Sequence, residues 1–268
     1  YCSMIFPWSR EHRRRELLAQ PFSESWRGYL NANIWQYGLL TAADQSQLCD
    51  DLRVLIAEKD WEGGRGFTVT DEVKVTIAAQ AALLLLGLKH DYFGDVETVI
   101  VYPASYVATA RTWEPGGVLN EAPTPRLGET SHRGPVIVSW ADALAAGRGY
   151  AGGRNVVLHE FAHRLDLRNG DVDGVPPLDD ERQYEEWSQV MSAEYQNLLA
   201  DAQEGRPTLL DQYGATNAGE FFAVATECFF ETPHPLQQMH ARLYAVLRDF
   251  YRQDTAARMP LSPRPLDE

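Results

Sequence analysis

Residues 152–171, GGRNVVLHEFAHRLDLRNGD, decide the fold. They hold His159 and His163, four apart, with Glu160 directly after the first. The residues around them are apolar: Val156, Val157, Leu158, Phe161, Ala162 and Leu165. Asn155 in front can cap a helix, and Asn169-Gly170 can stop it. The stretch therefore predicts a buried helix. On a helix, residues four apart stack on one face, so both imidazoles can reach one ion. Glu160 sits beside that face and can hold a metal-bound water without binding the metal. The spacing HExxH thus predicts two zinc ligands and a general base. The alternative is an amphipathic helix that spells the pattern by chance. Its cost is high, because buried His and Glu need satisfied polar atoms, and a metal satisfies them.

Two histidines do not complete a catalytic zinc site, which takes three protein ligands and an open water position. The extension HExxHxxGxxH fails, because position 166 is Asp and position 169 is Asn. The other histidines, His12, His90, His132, His234 and His240, lie in no comparable setting. A glutamate is the better candidate. Glu181, Glu185 and Glu186 open a highly charged helix, where a solvated face is the ordinary reading. Glu220 and Glu227 stand in NAGEFFAVATECFF, where nearly everything else is apolar or small. Seven apart, they share one helix face, and Asn217 is placed to cap that helix. Glu220 is assigned as the third ligand, and Glu227 as the acceptor that holds a ligating ring. Spacing alone also permits the reverse. Asp166 can steady a ligand, bond locally, or pair with Arg168. Tyr213, seven residues before Glu220, can stabilise an oxyanion, although packing is the ordinary use of a tyrosine.

The flanking sequence reads as an α+β protein, mostly helical, with a small mixed sheet before the HExxH helix and no βαβ alternation. N-terminal helices are expected, one capped by Thr41 with a stripe of Leu48, Leu52, Leu55 and Ile56. An extended segment then leads into a buried helix over IAAQAALLLLGL. TVIVYPASYV and GPVIVSW read as strands. The Gly/Pro-rich run 112–135 reads as loop or hairpin. Arg111 and His132 near it can face a cleft or solvent. AAGRGYAGGR reads as a link, and a final helix spans PLQQMHARLYAVLRDFYRQ. One domain over 1–268 is expected, with an N-terminal helical part (1–95), a catalytic core (96–258) and a frayed tail (259–268). NGDVDGVPPLDD nearly spells a calcium loop, but Pro176-Pro177 and the missing Glu favour a turn-rich loop with a capping role.

The chain has 268 residues, 44% hydrophobic and 23% charged, which is ordinary for a globular protein. A net charge of −14 disfavours nucleic acid and anionic membrane as partners. Three scattered cysteines, Cys2, Cys49 and Cys228, make no disulfide framework and fit a reducing, cytoplasmic compartment. The longest apolar run is too short to span a bilayer, and no signal peptide is expected at the start.

HEFAHRLDLRNGDVDGVPPL, YGATNAGEFFAVATECFFE and LYAVLRDFYRQD together resemble the Mlc titration factor A family of zinc peptidases. The likeness covers about residues 7–254. The resemblance implies a zincin-like fold of the gluzincin type, related in its catalytic part to the anthrax lethal factor protease. It implies zinc held by His159, His163 and Glu220, with Glu160 as base and Tyr213 as transition-state helper. It also implies a cytosolic protein that acts on a peptide or protein substrate, and a transcriptional repressor as a possible partner. The expected activity is peptide hydrolysis by a zinc-bound water that Glu160 activates. The rival reading is a zinc protein that sequesters a transcription regulator, with catalysis absent or incidental.

Overall fold

Side-chain caps set where most of the helices begin. Thr41 accepts from the Asp44 amide, Thr70 from Val73, Asn155 from Val157 and Leu158, Asp180 from Gln183, and Asn217 from Glu220. Each oxygen satisfies an amide that the first helical turn leaves without a partner. The computed structural model describes residues 7–104, 107–113, 119–125 and 134–260; of 7–8, 107–113 and 119–125 only the backbone is described. In chain order the elements are α1 (Pro7–Ala19), α2 (Glu24–Asn33), α3 (Ala42–Glu58), β1 (Asp60–Gly63) and α4 (Asp71–Leu83). Next come β2 (Thr98–Tyr102), β3 (Val107–Trp113), β4 (Leu119–Pro125), β5 (Val136–Ser139) and α5 (Trp140–Gly147). The C-terminal half holds α6 (Val156–Asp166), α7 (Glu181–Gln203), α8 (Ala218–Glu231), α9 (Pro233–Met239), α10 (Ala241–Tyr251) and α11 (Thr255–Arg258).

Helix dominates, as expected, but the sheet differs from expectation. Its three strands, in the order β1-β2-β5, are all parallel, with Val99 opposite both Trp61 and Val136. The antiparallel pair β3-β4 is a separate ribbon, formed where a loop or hairpin was expected. The insertion pairs with itself, so β5 re-enters the sheet parallel to β2. The run β1-α4-β2 is a parallel crossover, a single βαβ unit in an otherwise α+β order of elements. Among the described residues β5 is an edge strand with β2 as its neighbour.

Three other boundaries moved. The sequence between α3 and α4 contains β1, a four-residue strand whose partner is β2. The expected link after β5 begins as α5, capped by Ser139. The expected last helix breaks at His240 (φ −131, ψ 55), whose ring meets Glu194 Oε2 at 2.9 Å.

One apolar cluster runs from Leu30 to Ala256, across the boundary drawn at residues 95 and 96. Helix α4 is buried on every side, from Val75 to Leu83. At the other end Trp187, Phe222 and Phe250 meet edge to face, and Phe229 stacks on Tyr251. Each such fully buried ring contributes about 1.5–3 kcal/mol. Of the cysteines described, Cys49 and Cys228 are free thiols. No helix of the described residues is long and apolar enough to cross a membrane. Most of the expected tail, residues 261–268, lies outside the described residues, as do His132 and the Arg111 side chain.

Candidate metal centre

Helices α6 and α8 pack side by side and build the site. Helix α6 turns Val157, Leu158, Phe161, Ala162 and Leu165 into the core. That fixes its rotation and leaves His159 and His163 on the flank facing α8. Helix α8 buries Phe221, Phe222, Ala225 and Phe229, so Glu220 and Glu227 point at α6.

The donor atoms converge. His159 Nε2 lies 3.0 Å from Glu220 Oε2, and His163 Nε2 lies 3.4 Å from the same oxygen. The two Nε2 atoms are 3.2 Å apart. Ligand atoms of His159, His163 and Glu220 all fall within 4.8 Å of one another, and among the described residues this is the only such group. Glu227 sits behind the site. His159 Nδ1 donates to Glu227 Oε1 at 2.8 Å, and the Asn155 amide donates to Glu227 Oε2 at 2.5 Å. The ring is thereby oriented with Nε2 toward His163 and Glu220.

A model of the family described as glucose-regulated metallo-peptidase M90 matches residues 8–252. An "uncharacterized protein" of Synechocystis sp. is 36% identical over 247 residues, covering 92% of this chain and 90% of that protein. Mlc titration factor A of Serratia proteamaculans is 27% identical over 257 residues, covering 95% and 94%. That of Edwardsiella ictaluri is 30% identical over 221 residues, covering 81% and 83%. The chain belongs to the M90 metallopeptidase family, that of Mlc titration factor A. The resemblance read from the HEFAH and YGATNAGE segments is thus a family relationship that spans nearly the whole chain.

The electrostatics of this M90 site are uneven. Glu160 is 1% exposed, and its Oε2 has no partner among the described residues. Burial, reinforced by the charge of Glu220, lifts its carboxyl to about 7. Burial also acts on Glu220, but hydrogen bonds from His159 and His163 outweigh it and hold that carboxyl at about 2. For His159 burial works against the imidazolium, and the bonds to Glu220 and Glu227 overcome it, lifting the ring to about 10. Tyr213 is 52% exposed, so it does not pack in the core; its ring centroid is 6.1 Å from that of His159. Burial of its inner part, with the charges of Glu220 and Glu160, pushes the phenol up to about 12. Asp211 caps the turn Gln212–Ala215 that carries Tyr213, and Arg154 grips Asp211 at 2.6 Å.

Asp166 lies elsewhere. Its Oδ2 accepts from the Gly174 amide at 2.8 Å, while Arg168 pairs with Asp91. The acidic loop closes on itself: Asn169 Oδ1 and Asp173 Oδ1 accept amides two residues on, and Asp180 caps α7. Sequence reading missed Glu231. It accepts from Asn155 Nδ2 at 2.8 Å, from Gln36 Nε2 at 3.1 Å and from Trp35 Nε1 at 3.3 Å. Its place one turn beyond Glu227 on the same face was the available signal.

Proposed function

We propose that the chain is a zinc-dependent peptidase whose ion is held by His159, His163 and Glu220. The observation that carries this is the convergence of two imidazoles and one carboxylate beside buried Glu160, whose Oε2 has no hydrogen-bond partner among the described residues. Two nitrogens and one carboxylate oxygen are a donor set that suits catalytic zinc. Bound there, zinc supplies a Lewis acid that acidifies water and polarises a carbonyl. The remaining chemistry belongs to the protein. Glu160 takes the proton of the attacking water on its carboxylate and later returns it to the departing amine. A value near 7 suits a group that must do both. The Tyr213 phenol, protonated at neutral pH, donates to the oxyanion that develops on the scissile carbonyl. The edge of β5, which has no strand partner beyond β2 among the described residues and packs against α6, can take up the substrate as an added extended strand. The cytoplasm, where free thiols persist, is the compartment that fits.

Glu160→Gln tests the assignment. The amide it introduces cannot accept the proton as a carboxylate does, but it touches none of the three ligands. The variant is expected to retain zinc and lose hydrolysis of a panel of short peptides. Full activity in that variant would contradict the mechanism.

A second reading comes from the name of the relatives, which describes titration of Mlc. Binding of a transcriptional repressor by this chain is the corresponding proposal. A chelator run in parallel on peptide hydrolysis and on repressor capture separates it from catalysis.

A further inference from the structure

Glu231 closes α8 and gathers three donors from two distant parts of the chain. Its Oε1 accepts Asn155 Nδ2 and Gln36 Nε2, and its Oε2 accepts Trp35 Nε1. Asn155 passes the connection on. Its Oδ1 accepts the Val157 and Leu158 amides, its carbonyl accepts the His159 amide at 2.9 Å, and its own amide donates to Glu227. Glu227 then takes the Nδ1 hydrogen of His159. The far end is anchored as well. The Trp35 amide donates to the Gly147 carbonyl at 2.8 Å, and a Cβ on Gly147 would stand 2.4 Å from the Asn33 carbonyl oxygen. Gly147, with no side chain, thus lets the corner after α2 lie close against the end of α5.

We infer that Glu231 is a positioning residue for His159, acting through Asn155 and Glu227, and that it ties the Trp35-Gln36 corner to the metal centre. This deepens the proposed function and rests on its assignment of His159 as a zinc ligand. The physical content is orientation. A ligand ring is only as well placed as the acceptor behind it, and Glu227 is held by an amide whose residue is itself held by Glu231. With the Nδ2 bond gone, Asn155 can still cap α6, but its amide is no longer aimed at Glu227 by a second anchor. Glu231 touches neither the ion nor a ligand, so it belongs to the support of the site.

The test is zinc affinity of the full chain, read by competition with a chromogenic chelator. Asn155→Ser keeps a capping oxygen and removes Nδ2, which cuts the relay with little threat to folding. Asn155→Ser and Glu231→Ala are each expected to weaken zinc binding ~10-fold, and Glu227→Ala 10–100-fold or so. Because Glu231 acts through Glu227, the double variant Glu227→Ala/Glu231→Ala should bind zinc no more weakly than Glu227→Ala alone. Additive losses in the double variant would reduce Glu231 to a structural residue and overturn the inference. Wild-type affinity in Asn155→Ser would overturn it too, even if Glu231→Ala fails to fold. A His159→Ala control separates the two levels. If it binds zinc like the wild type, the ligand assignment falls and the inference with it. If it loses zinc while Asn155→Ser and Glu231→Ala bind normally, only the inference falls.

Discussion

At Glu160 and Tyr213 the same surroundings push two acids upward, with different consequences. Glu160 rises to about 7, where a carboxyl can both take and give a proton near neutrality. Tyr213 rises to about 12 and so is protonated at neutral pH. A protonated phenol is a donor, and the half-exposed Tyr213 ring lies beside His159 at the proposed metal site. Tyr213→Phe is therefore expected to lower kcat by roughly 10²-fold while zinc content and KM change little. Steady-state kinetics together with metal analysis would check this, and an unchanged kcat would remove Tyr213 from the mechanism.

Among the elements, what was legible depended on whether the signal was local. Thr41, Asn155, Asp180 and Asn217 each sit just ahead of a helical run, and each accepts amides of the first turn. Glu220 and Glu227 stood out because acidic residues on an apolar helix need partners. Spacing could not say which of them meets both imidazoles; the geometry puts Glu220 there and Glu227 behind the ring. Strand β1 was hidden because only Trp61 of its four residues favours a strand, and its conformation rests on pairing with β2. Helix α5 was hidden by its small residues: alanines and a glycine read as a link until packing against α4 makes them a helix. Glu231 was overlooked for a third reason, although it stands one turn beyond Glu227 on the same helix. At a helix end beside Thr232-Pro233 an acidic residue is unremarkable, and its partners Trp35 and Gln36 stand 196 and 195 residues away.

For the molecule as a whole, the N-terminal helices and the metallopeptidase elements share one core, and the N-terminal part buries ionisable groups of its own. Asp51 on α3 is fully buried, accepts from Gln47 at 2.7 Å and lies 3.6 Å from His90 Nε2. Burial pushes its carboxyl up to about 7, against the opposing bond from Gln47. The folded state thus keeps this proton to a higher pH than the unfolded chain, where Asp titrates near ~4. Between those values the native form binds more protons, so stability falls as pH rises from ~4 to 7 and levels off above. Asp51→Asn removes that dependence. Denaturant unfolding at pH 5 and pH 8 should show the variant gaining on the wild type at the higher pH. A stability difference that stays constant would mean that Asp51 ionises freely in the fold.

The metal centre itself is tested most directly by zinc content per chain at saturating zinc, measured for the wild type, Glu220→Ala and Glu227→Ala. With His159, His163 and Glu220 as ligands, the wild type and Glu227→Ala hold zinc stoichiometrically and Glu220→Ala does not. Full zinc in Glu220→Ala, with loss in Glu227→Ala, would contradict the assignment.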